Sequence, residues 1–234
     1  MWTYRTDGPV RSSPRIRDQH VFIGSDDGFL HIINATTGRR ALKIEAGGPI
    51  RTTPLITKKS IFFGTERGDL ICTDFHGKMR WQTNTNGAIT SSPRIQDEVV
   101  YFGSVDSTVY ALDAKTGWSI WEFRMNGGTV STPWINKKHI YIGSADNNIY
   151  CLNVQSSKKV WEFETENQVA SSPLIHHDAL YCGSIDGSLY CLDPQKGHLR
   201  WKYTTGAPIT GTPMIADDIV YIGSMDHCLY ALPA

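Results

Sequence analysis

Three arginines in the first third of the chain are the residues best suited to binding a small anion. Arg11 and Arg51 occupy the same position in two neighbouring sequence repeats, and Arg67 lies in a turn of the second repeat. Guanidinium groups that converge hold a carboxylate or phosphate through paired hydrogen bonds. The sequence therefore allows an anion site here. The alternative, which we favour, is a solvated cluster paired with acidic neighbours: Asp26, Asp27 or Glu66.

An aspartate recurs at one position of five repeats: Asp27, Asp106, Asp146, Asp186 and Asp226. Arg67 interrupts the series in the second repeat. A ring of carboxylates on one face is able to bind cations. We favour a structural interpretation, in which each aspartate serves its own turn by accepting backbone N–H groups.

Two further groups bear on redox or metal chemistry. A symmetric hairpin centred on Asp186-Gly187 would place Cys182 opposite Cys191, so a cross-strand disulfide is conceivable but strained, and we expect two reduced thiols. The pair His176-His177 would hold a metal only with a third ligand, and none is evident in the sequence. We therefore expect a solvated loop and no metal.

No nucleophile–base pair or phosphate loop stands out in the sequence, so neither catalysis nor a cofactor is predicted.

All these residues sit in a repeat of about 40 residues. Its markers are six Ser/Thr-Pro pairs, which are separated by 40, 39, 40, 40 and 40 residues: Ser13-Pro14, Thr53-Pro54, Ser92-Pro93, Thr132-Pro133, Ser172-Pro173 and Thr212-Pro213. The single deletion falls in the turn after Asp74. An indel confined to a turn is typical of a true structural repeat.

Each repeat contains four strand signals, which in the first copy cover 11–16, 21–25, 29–34 and 40–46. Four short antiparallel strands at this period predict one blade of an all-β propeller. We expect a single domain over 1–234, with blades at 7–46, 47–85, 86–125, 126–165, 166–205, and 206–234 plus 1–6. In this scheme the N-terminal strand completes the sixth blade and closes the ring.

A tryptophan begins the fourth strand in most repeats, with Leu42 as the exception: Trp2, Trp81, Trp121, Trp161 and Trp201. A large flat side chain that recurs once per blade predicts packing between blades more readily than a ligand platform. Trp118, in contrast, replaces a polar turn residue. We expect it to be exposed beside Lys115, where it could contact a partner.

The composition excludes several classes of protein. Lys+Arg and Asp+Glu both number 23, so the basic surface expected of a nucleic-acid binder is missing. No apolar run is long enough to cross a membrane, and the first residues do not resemble a signal peptide. The five cysteines lack metal-type spacing, and three of them stand where other repeats have alanine. Free thiols on buried strands predict a reducing, cytoplasmic setting. We also expect the domain to be monomeric.

The motif Gly-Ser-x-Asp-Gly-x-Leu-Tyr-Ala-Leu-Asp, followed by Thr-Gly, Trp and Ser-Ser-Pro, resembles the PQQ-like propeller repeat, most closely at 103–121. That repeat occurs in quinoprotein alcohol dehydrogenases, in the outer-membrane barrel-assembly lipoprotein, and in the C-terminal domain of aminoadipate-semialdehyde dehydrogenase-like acyl-adenylating enzymes. The resemblance implies the fold, and an accessory or scaffold role. This chain lacks the adjacent cysteines and the long Ca²⁺-binding loops of the quinoproteins.

The sequence therefore predicts a non-enzymatic propeller that binds a protein partner or small ligand, as an accessory domain of a larger protein. Two alternatives remain open. One is a sensor domain that binds a small anion near Arg11, Arg51 and Arg67. The other is a PQQ-dependent dehydrogenase-type domain or its remnant.

Overall fold

Every regular element of the protein is a β-strand, in a computed structural model that describes all residues, 1–234. The strands form six antiparallel sheets, and within each sheet the strands are adjacent in chain order. This arrangement confirms the predicted all-β propeller architecture. The structure contains no helix that could cross a membrane.

The first three sheets correspond to the first three repeats. Blade 1 contains β1 Arg15–Arg17, β2 His20–Gly24, β3 Phe29–Asn34 and β4 Arg40–Glu45. Blade 2 contains β5 Leu55–Ile56, β6 Ile61–Gly64, β7 Asp69–Thr73 and β8 Met79–Asn84. Blade 3 contains β9 Arg94–Gln96, β10 Val99–Gly103, β11 Thr108–Asp113 and β12 Ser119–Arg124.

The last three sheets follow the same plan. Blade 4 contains β13 Trp134–Ile135, β14 His139–Gly143, β15 Asn148–Asn153 and β16 Lys159–Glu164. Blade 5 contains β17 Leu174–His176, β18 Ala179–Gly183, β19 Ser188–Leu192 and β20 Leu199–Thr204. Blade 6 contains β21 Met214–Ala216, β22 Ile219–Gly223 and β23 Leu229–Pro233.

The innermost strand is shorter than the sequence suggested, beginning at Arg15 instead of Arg11. The reason is that a side-chain hydroxyl replaces the first pair of backbone hydrogen bonds between the two strands. The hydroxyl of Ser12 donates to the carbonyl of Gly24 (3.0 Å) and accepts its backbone N–H (2.8 Å). Thr52 makes the same two bonds with Gly64. Because proline has no N–H, the following Ser/Thr-Pro pair does not extend the ladder.

The hairpin between the second and third strands has a different register from the one predicted. Cys182 pairs with Tyr190, and Cys191 pairs with Tyr181, so the two cysteines are not opposite each other. The turn is asymmetric because the N–H of Gly187 bonds to the carbonyl of Ser184 and only Gly187 has a positive φ, of 86°. A type I turn followed by one left-handed residue adds a residue to the loop and shifts the pairing by one position. The expectation that 182 opposes 191 was therefore wrong.

Glycine at the end of the second strand lies directly under an apolar side chain of the next repeat. A Cβ on Gly183 would lie 2.2 Å from Cγ2 of Ile209, and one on Gly24 would lie 2.4 Å from Cγ2 of Ile50. Both isoleucines are fully buried. At Gly24 and Gly183, the glycine of the Gly-Ser motif is thus required by close packing between successive repeats.

The recurrent tryptophan connects one blade to the turn of the next. The indole Nε1 of Trp161 donates to the carbonyl of Pro194 at 3.1 Å. Equivalent bonds of 2.8–3.1 Å are Trp2 to Ala35, Trp81 to Ala114 and Trp121 to Val154. Trp201 packs on Tyr181, with ring centroids 5.9 Å apart.

The chain divides into two compact units, and each has its own cores. Unit 1 comprises Met1–Asp106 and Tyr110–Ile120, and unit 2 comprises Ser107–Val109 and Trp121–Ala234. In unit 1, one core lies between blades 1 and 2 and another between blades 2 and 3. In unit 2, cores lie between blades 4 and 5 and between blades 5 and 6. Apolar side chains buried between successive blades therefore hold each unit together.

Completion of blade 6 by residues 1–6 stays a prediction. Blade 6 has three strands, and residues 1–6 belong to no strand. Within unit 1, Trp2 bonds to Ala35, and the hydroxyl of Tyr4 bonds to Nδ1 of His31 at 2.9 Å. The bond of Trp2 to Ala35 is equivalent to the one that the fourth-strand tryptophans make to the turn of the next blade.

Candidate functional site

The recurring aspartate organises its hairpin turn through three hydrogen bonds. Asp186 accepts the N–H of Ser188 (2.7 Å), the N–H of Glu166 in the preceding loop (3.0 Å) and the hydroxyl of Tyr190 (2.7 Å). The same 2.7 Å bond to a tyrosine four residues later occurs in three more blades: Asp106 to Tyr110, Asp146 to Tyr150 and Asp226 to Tyr230. The carboxylates thus face protein donors, an arrangement that favours the turn interpretation over a cation ring.

These hydrogen bonds shift the acidities of both partners. The hydroxyl of Tyr230 is the main cause that lowers the pKa of Asp226 to about 2, and backbone N–H groups from Gly206 and Cys228 add to the effect. The same bond raises the pKa of Tyr230 to about 12. At neutral pH this carboxylate is a poor base and this phenol a poor acid, which makes the pair unsuited to general acid–base chemistry.

The structure brings two of the three predicted arginines onto one carboxylate. Asp26 accepts a hydrogen bond from Nε of Arg11 (3.0 Å) and another from Nε of Arg51 (3.0 Å). Arg51 also lies 3.5 Å from Glu66. The bond from Arg51 is the main cause of the lowered pKa of Asp26, although partial burial opposes it. Arg67 lies over Gly48 and forms no salt bridge. Anion binding by this trio stays a prediction, and the charges of Arg11 and Arg51 are already compensated.

A second arginine pair, which sequence reasoning missed, lines a pocket of unit 1. The pocket measures about 260 Å³ and lies between the innermost strands of blades 1, 2 and 3. Arg15 and Arg94 line it, and neither has a salt-bridge partner. The side chain of Arg94 is exposed, but desolvation by its neighbours, together with the charge of Arg15, lowers its pKa. A sequence signal existed: each arginine directly follows the repeat's proline, where the other repeats have apolar residues, namely Leu55, Trp134, Leu174 and Met214.

All five cysteines are free thiols. No cysteine forms a disulfide, and four of the five are buried. Burial raises the pKa of Cys182 to about 12, and it has the same effect on Cys151. Since the thiolate is the reactive form of cysteine, these two thiols are unreactive at neutral pH. Cys228 is the exposed one.

A groove on unit 1 combines apolar walls with positive charge. It measures about 450 Å³, and we call it the blade 2–3 groove; its lining residues include Phe62 and Ile95. Its charged lining residues are four cations and one carboxylate: Lys58, Lys59, Arg80, Lys115 and Glu98. The groove therefore suits a ligand that is both apolar and acidic.

The turn beside this groove presents an exposed tryptophan. Asp113 fixes the turn by accepting the N–H groups of Lys115 (3.0 Å) and Thr116 (2.7 Å), and its own N–H bonds to the carbonyl of Trp118. The side chain of Trp118 is 79% exposed, as expected, and Ile120 is also exposed. Lys115 belongs both to this turn and to the groove lining. A fixed turn thus holds a large apolar side chain in water next to an apolar, basic groove.

The histidine pair has the third neighbour that the sequence did not reveal. Nε2 of His176 lies 2.9 Å from Oδ1 of Asp218, and Nε2 of His177 lies 3.4 Å from the same oxygen. Asp218 is 42 residues from His176 and belongs to the equivalent turn of the next blade. Only the stacking of successive blades places it there.

Six sheets of this repeat, with a glycine, an aspartate and a tryptophan each in a fixed structural role, define the chain as a β-propeller of PQQ-like repeats. It belongs to the family described as "Outer membrane protein assembly factor BamB", which it matches over residues 41–168 and 148–234. Among curated proteins no sequence match is found.

Two solved structures show the likeness in fold. The crystal structure of BamB from Moraxella catarrhalis is 20% identical, with a TM-score of 0.86, and the match covers 99% of this chain and 76% of that one. The computationally designed Ika8 protein is 16% identical, with a TM-score of 0.66, and the match covers 95% of this chain and 83% of that one. At these identities the likeness establishes the fold alone.

Proposed function

We propose that this chain is a non-enzymatic scaffold that binds a protein partner through Trp118 and the blade 2–3 groove. The observation that carries the proposal is an exposed tryptophan on a fixed turn beside an apolar groove. Tryptophan is enriched among the residues that dominate binding energy at interfaces. The excess of lysine and arginine in the groove selects a partner segment with an apolar anchor and acidic flanks. The family's description as an assembly factor agrees with a role in protein binding.

A photocrosslinker placed at position 118 tests this function. The residue p-benzoylphenylalanine replaces Trp118 in the source cells, and the same replacement of exposed Val160 serves as the control. We expect one recurrent protein to be crosslinked from position 118 and not from position 160. The purified partner should then bind Trp118→Ala about 30-fold more weakly, since a central tryptophan contributes about 2 kcal/mol or more to binding.

Charge reversal in the groove gives a separate readout. Lys58→Glu combined with Lys59→Glu should slow association and reduce its dependence on salt, because charges at the rim of an interface mainly steer encounter. If Trp118→Ala and the charge-reversal variant both bind the partner as the wild type does, the partner contacts another surface and the proposal fails.

A second candidate function is the sensing of a small anion, and the unpaired arginines of the 260 Å³ pocket favour it. Arg15 and Arg94 repel each other there, and a phosphate or dicarboxylate would relieve the repulsion. This site differs from the trio at Arg11, Arg51 and Arg67, where Asp26 already serves as the counter-ion.

A thermal-shift series with phosphate and succinate separates the two arginine sites. An anion at 100 times its Kd stabilises the folded state by about 2.7 kcal/mol, so the melting temperature should rise by several degrees. We expect this rise in the wild type and in Arg51→Ala but not in Arg94→Ala. The sensor function is refuted if neither anion raises the melting temperature, or if Arg94→Ala responds as the wild type does.

A further inference from the structure

Two equivalent turns in unit 2 bring His176, His177 and Asp218 together. The turn of blade 5 lies between the paired residues His176 and Ala179, and His177 in this turn has a φ of 50°. The turn of blade 6 lies between the paired residues Ala216 and Ile219, and Asp218 in this turn has a φ of 57°. The two turns lie at the same place in successive repeats. The carboxylate of the later turn therefore reaches the imidazoles of the earlier one.

The distances in this cluster match the spacing of ligands around a metal ion. Two ligands at bonds of about 2.0–2.1 Å lie about 2.9 Å apart at a right angle and about 3.4 Å apart at a tetrahedral angle. The observed separations from Oδ1 of Asp218 are 2.9 Å to His176 and 3.4 Å to His177. The ligand atoms of all three residues lie within 4.8 Å of one another. One ion could therefore contact the three side chains with small adjustments.

The nearby cation Arg200 does not occupy the cluster of His176, His177 and Asp218, so this cluster is free to bind a metal ion. Asp178, next to His177 in the chain, is bonded to Arg200 at 3.0 Å, and the same Arg200 nitrogen lies 3.4 Å from Asp193. The positive charge of Arg200 is thus compensated by its own acidic partners. His177 and Asp218 are both exposed, so solvent reaches the site.

We propose that His176, His177 and Asp218 form a binding site for one divalent transition-metal ion of the Zn²⁺, Cu²⁺ or Ni²⁺ class. Two imidazoles and one carboxylate suit these ions, whereas Mg²⁺ and Ca²⁺ prefer sites made of oxygen ligands alone. Three protein ligands leave at least one coordination position for water or for a group from another molecule. The ion would also crosslink the turns of blades 5 and 6. It would thereby stabilise the three-stranded last blade, because an ion that binds only the folded state favours folding.

Zinc titration calorimetry on tag-free protein tests the site. The exposed thiol of Cys228 could bind zinc independently, so all variants are made in a Cys228→Ser background. We expect one equivalent of Zn²⁺ to bind, and affinity to fall at least tenfold in His177→Ala and in Asp218→Asn, since losses of 10–100-fold accompany even second-shell changes. Asparagine tolerates the left-handed backbone at 218, so this variant keeps the turn. His198→Ala, which removes another exposed histidine, is the matched control and should bind as the parent does.

Two further measurements keep the result unambiguous. In EDTA, the melting curves of the Cys228→Ser parent and of the variants should coincide. This result would show that the substitutions do not unfold blade 6. Electron paramagnetic resonance of the Cu²⁺ form should show nitrogen coupling from two imidazoles, reduced to one in His177→Ala. The proposal is overturned if the parent binds no zinc, or if His177→Ala and Asp218→Asn bind it as tightly as His198→Ala.

Discussion

Trp161→Ala should lower the free energy of unfolding by about 3–5 kcal/mol, the largest effect that we expect from a single substitution in this protein. The side chain is only 9% exposed and packs in the core between blades 4 and 5. Its ring centroid lies 5.8 Å from that of Tyr141, and its N–H bonds to the carbonyl of Pro194. Truncation leaves a cavity and removes that hydrogen bond. Urea unfolding followed by far-ultraviolet circular dichroism measures the loss.

Trp118→Ala is the matched control for this prediction. It removes the same side chain from a site that is 79% exposed, and its unfolding free energy should stay within about 0.5 kcal/mol of the wild type. Equal losses for the two variants would show that the recurrent tryptophan does not stabilise the packing between blades.

Gly183→Ala should be the second most damaging substitution, with an expected loss of about 1–3 kcal/mol from overpacking. The new methyl group would lie 2.2 Å from Cγ2 of Ile209, a side chain that is fully buried. Neither the strand end nor the isoleucine has room to move without disturbing the core between blades 5 and 6. The same urea unfolding experiment measures the effect.

Gly223→Ala provides the control, because it is the same motif position in the last repeat. A Cβ at Gly223 has no neighbour within 4 Å, so this variant should be nearly neutral. The double variant Gly183→Ala with Ile209→Ala should lose less than the sum of its single variants, since removing Cγ2 relieves the clash. Additive losses in the double variant would contradict the packing explanation.

Much of the fold was predictable because it repeats. A period of 40 residues, with turn residues at fixed offsets, specifies the blade through local backbone preferences that act six times over. Deriving the hairpin register from the sequence failed for a local reason: Asp186-Gly187 fits both a two-residue turn and a longer type I turn. The hydrogen bond between Ser184 and Gly187 selects the longer one. Enzymatic inactivity and a cytoplasmic location were also inferred from the sequence, and they stay predictions.

The candidate sites depend on contacts that no local pattern encodes. The sequence alone determined the all-β blades, the recurrent tryptophan of the fourth strand and the exposure of Trp118, since each follows from a residue's place within one repeat. Only the tertiary structure decided that Asp26 pairs with both Arg11 and Arg51, and that Asp218 completes the cluster of His176 and His177. In each cluster, one of the side chains comes from the repeat that follows the others. Their distances are set by how one blade packs on the next, through buried side chains such as Ile209 and Trp161.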